Sequence, residues 1–306
     1  MIRNFLFHRV NPQRDILWDP MDVKLFEQCI KFISNKFEVV RIEDLAYSDK
    51  LFSNTEYATI MFDDGYKDNI EYAADVLAKY NCKASFYVVT HCIDKNIPTW
   101  THLLEHAFQF TNNSTLNMDF SFLPNELKVK ELPTKEERID YVKKLKPFLK
   151  TITHENRSLV LDSVIDAYLT SEIPKLMMDW EDVKQLKNAG HYIGSHTITH
   201  AMLGTMNNEE EIKRELLNSA LRIQEKVDHF PLTISYPVSS YNEVTKRLSK
   251  EAGYKIGLAV QQKMYDPLKY DFFDIPRIEL YNEPWLKTRL RITNTLEQIK
   301  SIIRFR

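Results

Sequence analysis

Tyr57-Ala58-Thr59-Ile60-Met61-Phe62-Asp63-Asp64-Gly65-Tyr66 is a strand-forming run that ends, without a spacer, in two adjacent acids and a turn-forming glycine. Its apolar part reads as a strand buried on both faces, the pattern of a parallel sheet covered by helices. Two carboxylates together at a strand end are unfavourable, because like charge and desolvation both oppose ionisation; a cation would compensate them. Taken alone, Asp-Asp-Gly is most often only a turn.

A second strand ends in a comparable way. Residues 192–195 run into Ser195-His196-Thr197-Ile198-Thr199-His200. Two imidazoles four positions apart fall on one face of a turn and can reach one metal ion. Two histidines and one carboxylate, with positions left for water and substrate, form an open catalytic metal site. Zinc is the default ion for that donor set, although cobalt, nickel or iron can use the same ligands.

Further short apolar runs at 2–7, 37–40, 84–89, 232–236, 256–260 and 272–278 read as strands. Amphipathic helical stretches at 23–35, 69–80, 180–189, 209–227 and 243–252 separate most of them. The alternation predicts an α/β fold, a distorted parallel (β/α) barrel of about seven strands, with catalytic groups just past the C-terminal ends of the strands. Both candidate motifs sit at such ends. The alternation breaks at 96–178, where helical periodicity without a convincing strand predicts a helical insertion or cap, with helices at 134–149 and 155–169. The expected organisation is a barrel over 1–95 and 179–280, the insertion at 96–178, and a basic amphipathic C-terminal helix at 281–306.

The 306 residues are 43% hydrophobic and 27% charged, which excludes a disordered or fibrous chain. A formal net charge of −2 removes the global electrostatic argument for nucleic acid. Cys29, Cys82 and Cys92 are too few and scattered to staple a fold, so a reducing compartment is expected. No signal-peptide pattern opens the chain and no apolar run is long enough to span a bilayer, which leads to the expectation of a cytoplasmic protein. Residues 287–306 carry six basic side chains interleaved with apolar ones. Peripheral contact with anionic lipid is one reading; a terminal helix docked by its apolar face is preferred. The sequence does not give the oligomeric state.

Phe62-Asp63-Asp64-Gly65-Tyr66 with Asp68-Asn69, and Ser195-His196-Thr197-Ile198-Thr199-His200, resemble the first two motifs of the polysaccharide deacetylases, the NodB-homology family. Leu6-Phe7-His8-Arg9-Val10 resembles the opening strand of many members, and Ser235-Tyr236-Pro237-Val238-Ser239-Ser240-Tyr241-Asn242 the third motif. Ile275-Pro276-Arg277-Ile278 is similar to a later arginine strand. The resemblance implies hydrolysis of an N-acetyl group on a sugar or glycan. A divalent metal would be held by Asp64, His196 and His200, Asp63 would act as base, and the Val238 backbone N–H would face the oxyanion. Two family features are missing. The third-motif arginine that orients the base is absent, and Arg277 is the candidate to replace it. The late histidine that serves as general acid is also absent, which leaves His8, His91 or Asp63 itself to protonate the leaving amine. Tyr66, Tyr236 and Tyr241 are candidate sugar-stacking groups.

Three alternatives carry less. His102-Leu103-Leu104-Glu105-His106 matches the H-x-x-E-H pattern of inverted zinc proteases, but lies in the insertion within an amphipathic helix. The same metal centre could hydrolyse another small amide. A non-catalytic carbohydrate-binding relative would account for the missing arginine and histidine.

Overall fold

The computed structural model describes residues 1–46, 48, 51 and 55–295. In chain order the first half holds β1 (Arg3–Phe7), α1 (Val23–Lys36), β2 (Glu38–Val39), α2 (Ile42–Leu45), β3 (Tyr57–Phe62), a π-helical turn (Asn69–Ala73) leading into α3 (Ala74–Lys79), β4 (Ser85–Val88) and α4 (Thr90–Lys95). The intervening segment holds α5 (Trp100–Phe110), β5 (Thr115–Asn117), β6 (Val129–Glu131), α6 (Lys135–Leu149) and α7 (His154–Tyr168). Then follow α8 (Trp180–Asn188), β7 (Tyr192–Ser195), α9 (Glu209–Val227), β8 (Thr233–Ser235), α10 (Glu243–Glu251), β9 (Ile256–Val260), β10 (Ile275–Glu279) and α11 (Trp285–Ile292).

Among the described residues, seven parallel strands close into a barrel in the order β1-β3-β4-β7-β8-β9-β10, with β1 pairing β3 on one side and β10 on the other. The fold class expected from the alternation is thus observed. The run at 37–40 contributes only β2, which pairs with the first two residues of β3 and stays outside the closed ring. Strand alternation sends Phe7, Phe62 and Phe86 outward, where they stack at 5.5 and 4.8 Å between centroids and meet Phe26 of α1.

The inward face is partly polar. Asn4 Nδ2 donates to the Pro276 carbonyl at 2.9 Å, and Asn4 Oδ1 accepts from Thr59 Oγ1 at 2.9 Å. Ser85 and Tyr87 donate to the two oxygens of Glu43, on α2, at 2.7 and 2.8 Å. Gly194 is required here: a Cβ at that position would lie 2.3 Å from Tyr87 Cδ1.

The insertion differs from expectation in one respect. β5 and β6 form an antiparallel ribbon within 96–178, a segment the periodicity reads as strand-free. Each strand is three residues long, and only Leu116 among their side chains is fully buried, so no local run announces them. The helices are legible: Thr134 caps α6 in a capping box with Glu137, and Thr153 caps α7. Leu104, Phe108, Tyr141, Leu145, Val160 and Tyr168 give the insertion its own apolar cluster.

The three cysteines are free and buried. No helix among the described residues is long and apolar enough to cross a membrane. In α11, Lys287 and Arg291 pair with Glu283 and Arg289 lies over the Phe32 ring. Residues 296–306 of the expected basic helix lie outside the described residues.

His191, just before β7, accepts the Ala84 N–H at Nδ1 (3.1 Å) and meets Phe86 edge-on. Burial, with Lys83 and Arg41 nearby, pulls its pKa down to about 4. Between pH 6.5 and about 4 the unfolded chain binds a proton that the folded chain does not, so stability falls as pH falls through that window. His191→Gln keeps an acceptor and is expected to remove on the order of 2–3 kcal/mol of that loss, read from denaturant midpoints across the window. An unchanged pH slope would contradict this.

Candidate active site

The two adjacent acids after β3 have different surroundings. Arg277, reaching in from β10, clamps Asp63 with Nη1 to Oδ1 and Nη2 to Oδ2, both at 2.8 Å. Ser235 Oγ, at the end of β8, donates to Oδ2 at 3.0 Å. The guanidinium is fully buried, donates from Nε to the Ala259 carbonyl at 3.3 Å, and sits 5.8 Å from the Tyr87 ring centroid. Burial pushes the Asp63 carboxyl up, but Arg277 and then His196 outweigh it and hold the group below the usual carboxylate range. Three of its roughly four lone-pair positions are filled, leaving one on Oδ1.

Asp64 points elsewhere. Its Oδ1 lies 3.4 Å from His196 Nε2 and 3.3 Å from His200 Nε2, yet neither carboxylate oxygen has a hydrogen-bond partner among the described residues. The carboxylate is buried. One donor atom from each of Asp64, His196 and His200 lies within 4.8 Å of the others, the one such cluster among the described residues. A buried, unsatisfied carboxylate facing two imidazole nitrogens fits a divalent cation. His196 Nδ1 lies 2.8 Å from the Ser235 carbonyl, which only accepts, so that nitrogen carries the proton and Nε2 keeps its lone pair for an ion.

The loop between the two histidines is held from behind. Glu215 of α9 accepts from the Ile198 and Thr199 N–H groups at 2.9 and 3.0 Å and from Thr199 Oγ1 at 2.8 Å. Trp100, opening α5, donates to the His200 carbonyl at 3.2 Å. Asp64, Thr197, His200, Val238 and Ser239 all have φ between 54° and 75°. The other four described non-glycine residues with positive φ are Asn or Asp, which tolerate it; Thr, His, Val and Ser do so with strain, and here they converge on one site.

A cavity of about 470 Å³ opens over these groups, within the range of small-molecule sites. Its lining includes Asp63, Asp64, His196, His200 and Val238, with His8 and Glu279 from the ends of β1 and β10. His8 Nδ1 lies 3.4 Å from Glu279 Oε1, and Asn69 Nδ2 holds the His8 carbonyl at 2.8 Å.

Not every sequence-predicted residue reaches this space. Tyr66 is fully buried behind Trp18, its hydroxyl 3.1 Å from His102 Nδ1. Tyr236 is also buried and stacks on Tyr241, whose hydroxyl turns to Asp274. None of the three lines the cavity; its aromatic groups are Trp18 and Tyr281. His91 is absent from the lining, whereas His8 is part of it. The H-x-x-E-H residues disperse: His102 meets Tyr66, Glu105 pairs with Lys146, and His106 Nε2 is 3.0 Å from Ser171 Oγ.

Sequence reasoning missed Trp18, Tyr281, Lys146 and Lys150 in the lining, and Ser235 and Glu215 behind it. Trp18 and Tyr281 lie on loops that follow β1 and β10, so the rule that barrel sites form at strand C-terminal ends could have found them. Lys146 and Lys150 had only their one-turn spacing to mark them, and Glu215 nothing at all.

A profile of the family described as polysaccharide deacetylase matches residues 53–257, more than half of the chain. The YxkH protein of Bacillus subtilis, whose name classes it with the same family, is 30% identical over 81 residues, 26% of this chain and 29% of that relative. Among solved structures, the Streptococcus pyogenes deacetylase PplD in complex with acetate is 14% identical, with a TM-score of 0.61 over 95% of this chain and 97% of that one. A de-N-acetylase from Aggregatibacter actinomycetemcomitans is 15% identical, with a TM-score of 0.60 over 95% and 99%. At such identity the structural likeness speaks for the fold. With the family profile spanning both strand-end motifs, the chain belongs to the polysaccharide deacetylase family.

Proposed function

We propose that this protein hydrolyses the N-acetyl group of an amino sugar in a glycan or glycoconjugate precursor, with Asp63 as base and a divalent cation, zinc by its donor set, held by Asp64, His196 and His200. The observation that carries the reading is the division between the two carboxylates. Asp63 is bound by Arg277 and Ser235 and so is kept out of a ligand role, while Asp64 has no hydrogen-bond partner and faces two imidazoles.

When bound, such an ion supplies positive charge that polarises the amide carbonyl and makes a nearby water more acidic. The chain's own residues do the rest. Asp63 accepts a proton from the attacking water at its free Oδ1 position while the water oxygen bonds to the acyl carbon. The Val238 N–H, in its strained turn, faces the charge that develops on the acyl oxygen, a type of contact worth ~3 kcal/mol. The C–N bond then breaks, its electron pair leaves with the nitrogen, and His8, held against Glu279, gives that nitrogen a proton. Acetate and a free amine are the products. Arg277 fills from β10 the orienting role of the missing third-motif arginine.

Acetate release from an N-acetylated chito-oligosaccharide tests this. Release is expected to stop on chelation, return with one added equivalent of zinc, and fall about 10²–10⁴-fold in His8→Gln. Release that survives chelation would contradict the metal assignment, and metal binding with no turnover on any N-acetyl sugar would favour the small-amide or carbohydrate-binding alternatives.

A further inference from the structure

α6 of the insertion supplies one wall of the cavity. Lys146 and Lys150 are one helical turn apart, so both side chains leave the helix on the same side, and both line the cavity. Lys143 and Lys144, on the same helix, are solvent-exposed. Attraction of lysines to a helix C-terminus therefore does not explain why Lys146 and Lys150 face inward.

The other charged side chains of the lining have partners. Asp63 has Arg277, and Asp19 has Arg14 and Asn282. Glu279 has His8 and the Tyr281 hydroxyl, Lys146 has Glu105, and Asp64 faces the two imidazoles. The Lys150 ammonium makes no hydrogen bond or ion pair among the described residues; only the residue's backbone N–H is bonded, to the Pro147 carbonyl. Lys150 is half-buried, and burial, followed by repulsion from Lys146, holds its ammonium below the usual lysine range, although the Glu105, Glu279 and Asp64 carboxylates attract it from beyond hydrogen-bond reach. A partly desolvated cation without a partner costs stability, and its retention on a cavity wall is accounted for if the ligand brings the counter-charge.

We propose that the substrate carries, beside its N-acetyl group, an anionic group (a phosphate ester or a carboxylate) that pairs with Lys150, with Lys146 adding to the positive field. This rests on the deacetylase reading of the cavity and narrows it to acidic or phosphorylated amino sugars. Lys146 stays tied to Glu105 and lies 5.9 Å from the Trp18 ring, so Lys150 is the group free to close on the anion.

Calorimetric binding to the zinc-loaded, full-length Asp63→Asn protein tests the inference without turnover. The probes are N-acetylglucosamine, N-acetylglucosamine 1-phosphate, and the disaccharide of N-acetylglucosamine with glucuronic acid. At least one anionic probe is expected to bind tenfold or more tightly than the neutral sugar, and the anion it carries identifies the source of the charge. Adding Lys150→Gln should erase that preference, and Lys150→Arg should keep most of it. Equal binding of all three sugars, or a preference that survives Lys150→Gln, would overturn the proposal. So would a Lys150→Gln enzyme with intact Asp63 whose kcat falls equally on neutral and anionic sugars while binding preference is kept, since that pattern belongs to proton transfer. Acetate release by the unaltered enzyme is measured in parallel. Its absence on all probes would sink the deacetylase reading, while the binding preference would still decide the role of Lys150.

Discussion

Asp63→Asn will lower acetate release by about 10³-fold or more while one metal ion per chain is retained. Asparagine is nearly isosteric and can still accept from Ser235 and from one guanidinium nitrogen, so the carboxamide should occupy the same place. What it lacks is the charge that accepts a proton from water, and the residual rate would come from the other groups of the site. Metal retention is the discriminating half of the result. The partner-free oxygens belong to Asp64, so removing the Asp63 charge should leave the three donor atoms of Asp64, His196 and His200 where they are. Loss of metal together with activity would mean that Asp63 is itself a ligand.

The second large effect is on stability. Arg277→Met is expected to destabilise the fold by about 3–5 kcal/mol at neutral pH, because it leaves the buried Asp63 carboxylate without its bidentate partner. The sign of its pH dependence follows from the same contact. In the unaltered protein Asp63 sits below its usual carboxyl range, so its ionised form contributes stability above the ordinary carboxyl pKa, and this is lost as pH falls. Without Arg277 the burial that raises the pKa is left less opposed; the group then costs stability as pH rises. The gap between the two proteins should therefore widen from pH 4 upward and narrow below it, as measured by denaturant unfolding. Arg277→Lys, which cannot bridge both oxygens, should fall between them. A small gap at all pH values would contradict the structural role given to the pair.

Much of the barrel was legible because parallel strands covered by helices are apolar on both faces. All six side chains of β3 are buried, and they form one of the clearest runs in the chain. The closing contact was not legible, since the pairing of β1 with β10 joins residues more than 270 positions apart and leaves no local trace. The β5–β6 ribbon escaped for the opposite reason: each strand is too short to form a run and is stabilised by its partner and by the insertion's own core.

The same contrast holds at the site. Asp63, Asp64, His196 and His200 could be found because strand-to-loop junctions confine polar residues where an apolar run stops. That Arg277 meets Asp63, 214 positions away, lies in no spacing; only the resemblance of residues 275–278 to a later arginine strand marked it as the candidate. Aromatic character, the signal that marks Tyr66, Tyr236 and Tyr241, does not separate a sugar platform from core. Tyr66 and Tyr236 are core, and the rings at the cavity are those of Trp18 and Tyr281.

The proposed hydrolysis requires that one ion is shared by Asp64, His196 and His200 while Asp63 remains uncoordinated. Anomalous diffraction at the zinc edge from crystals of the zinc-loaded protein addresses it most directly. A single strong peak is expected about 2.0–2.2 Å from Nε2 of both histidines and from one Asp64 oxygen, with Asp63 still held by Arg277. A peak at His102 and His106, an Asp63 oxygen inside the coordination sphere, or no peak between Asp64 and the two histidines would contradict it.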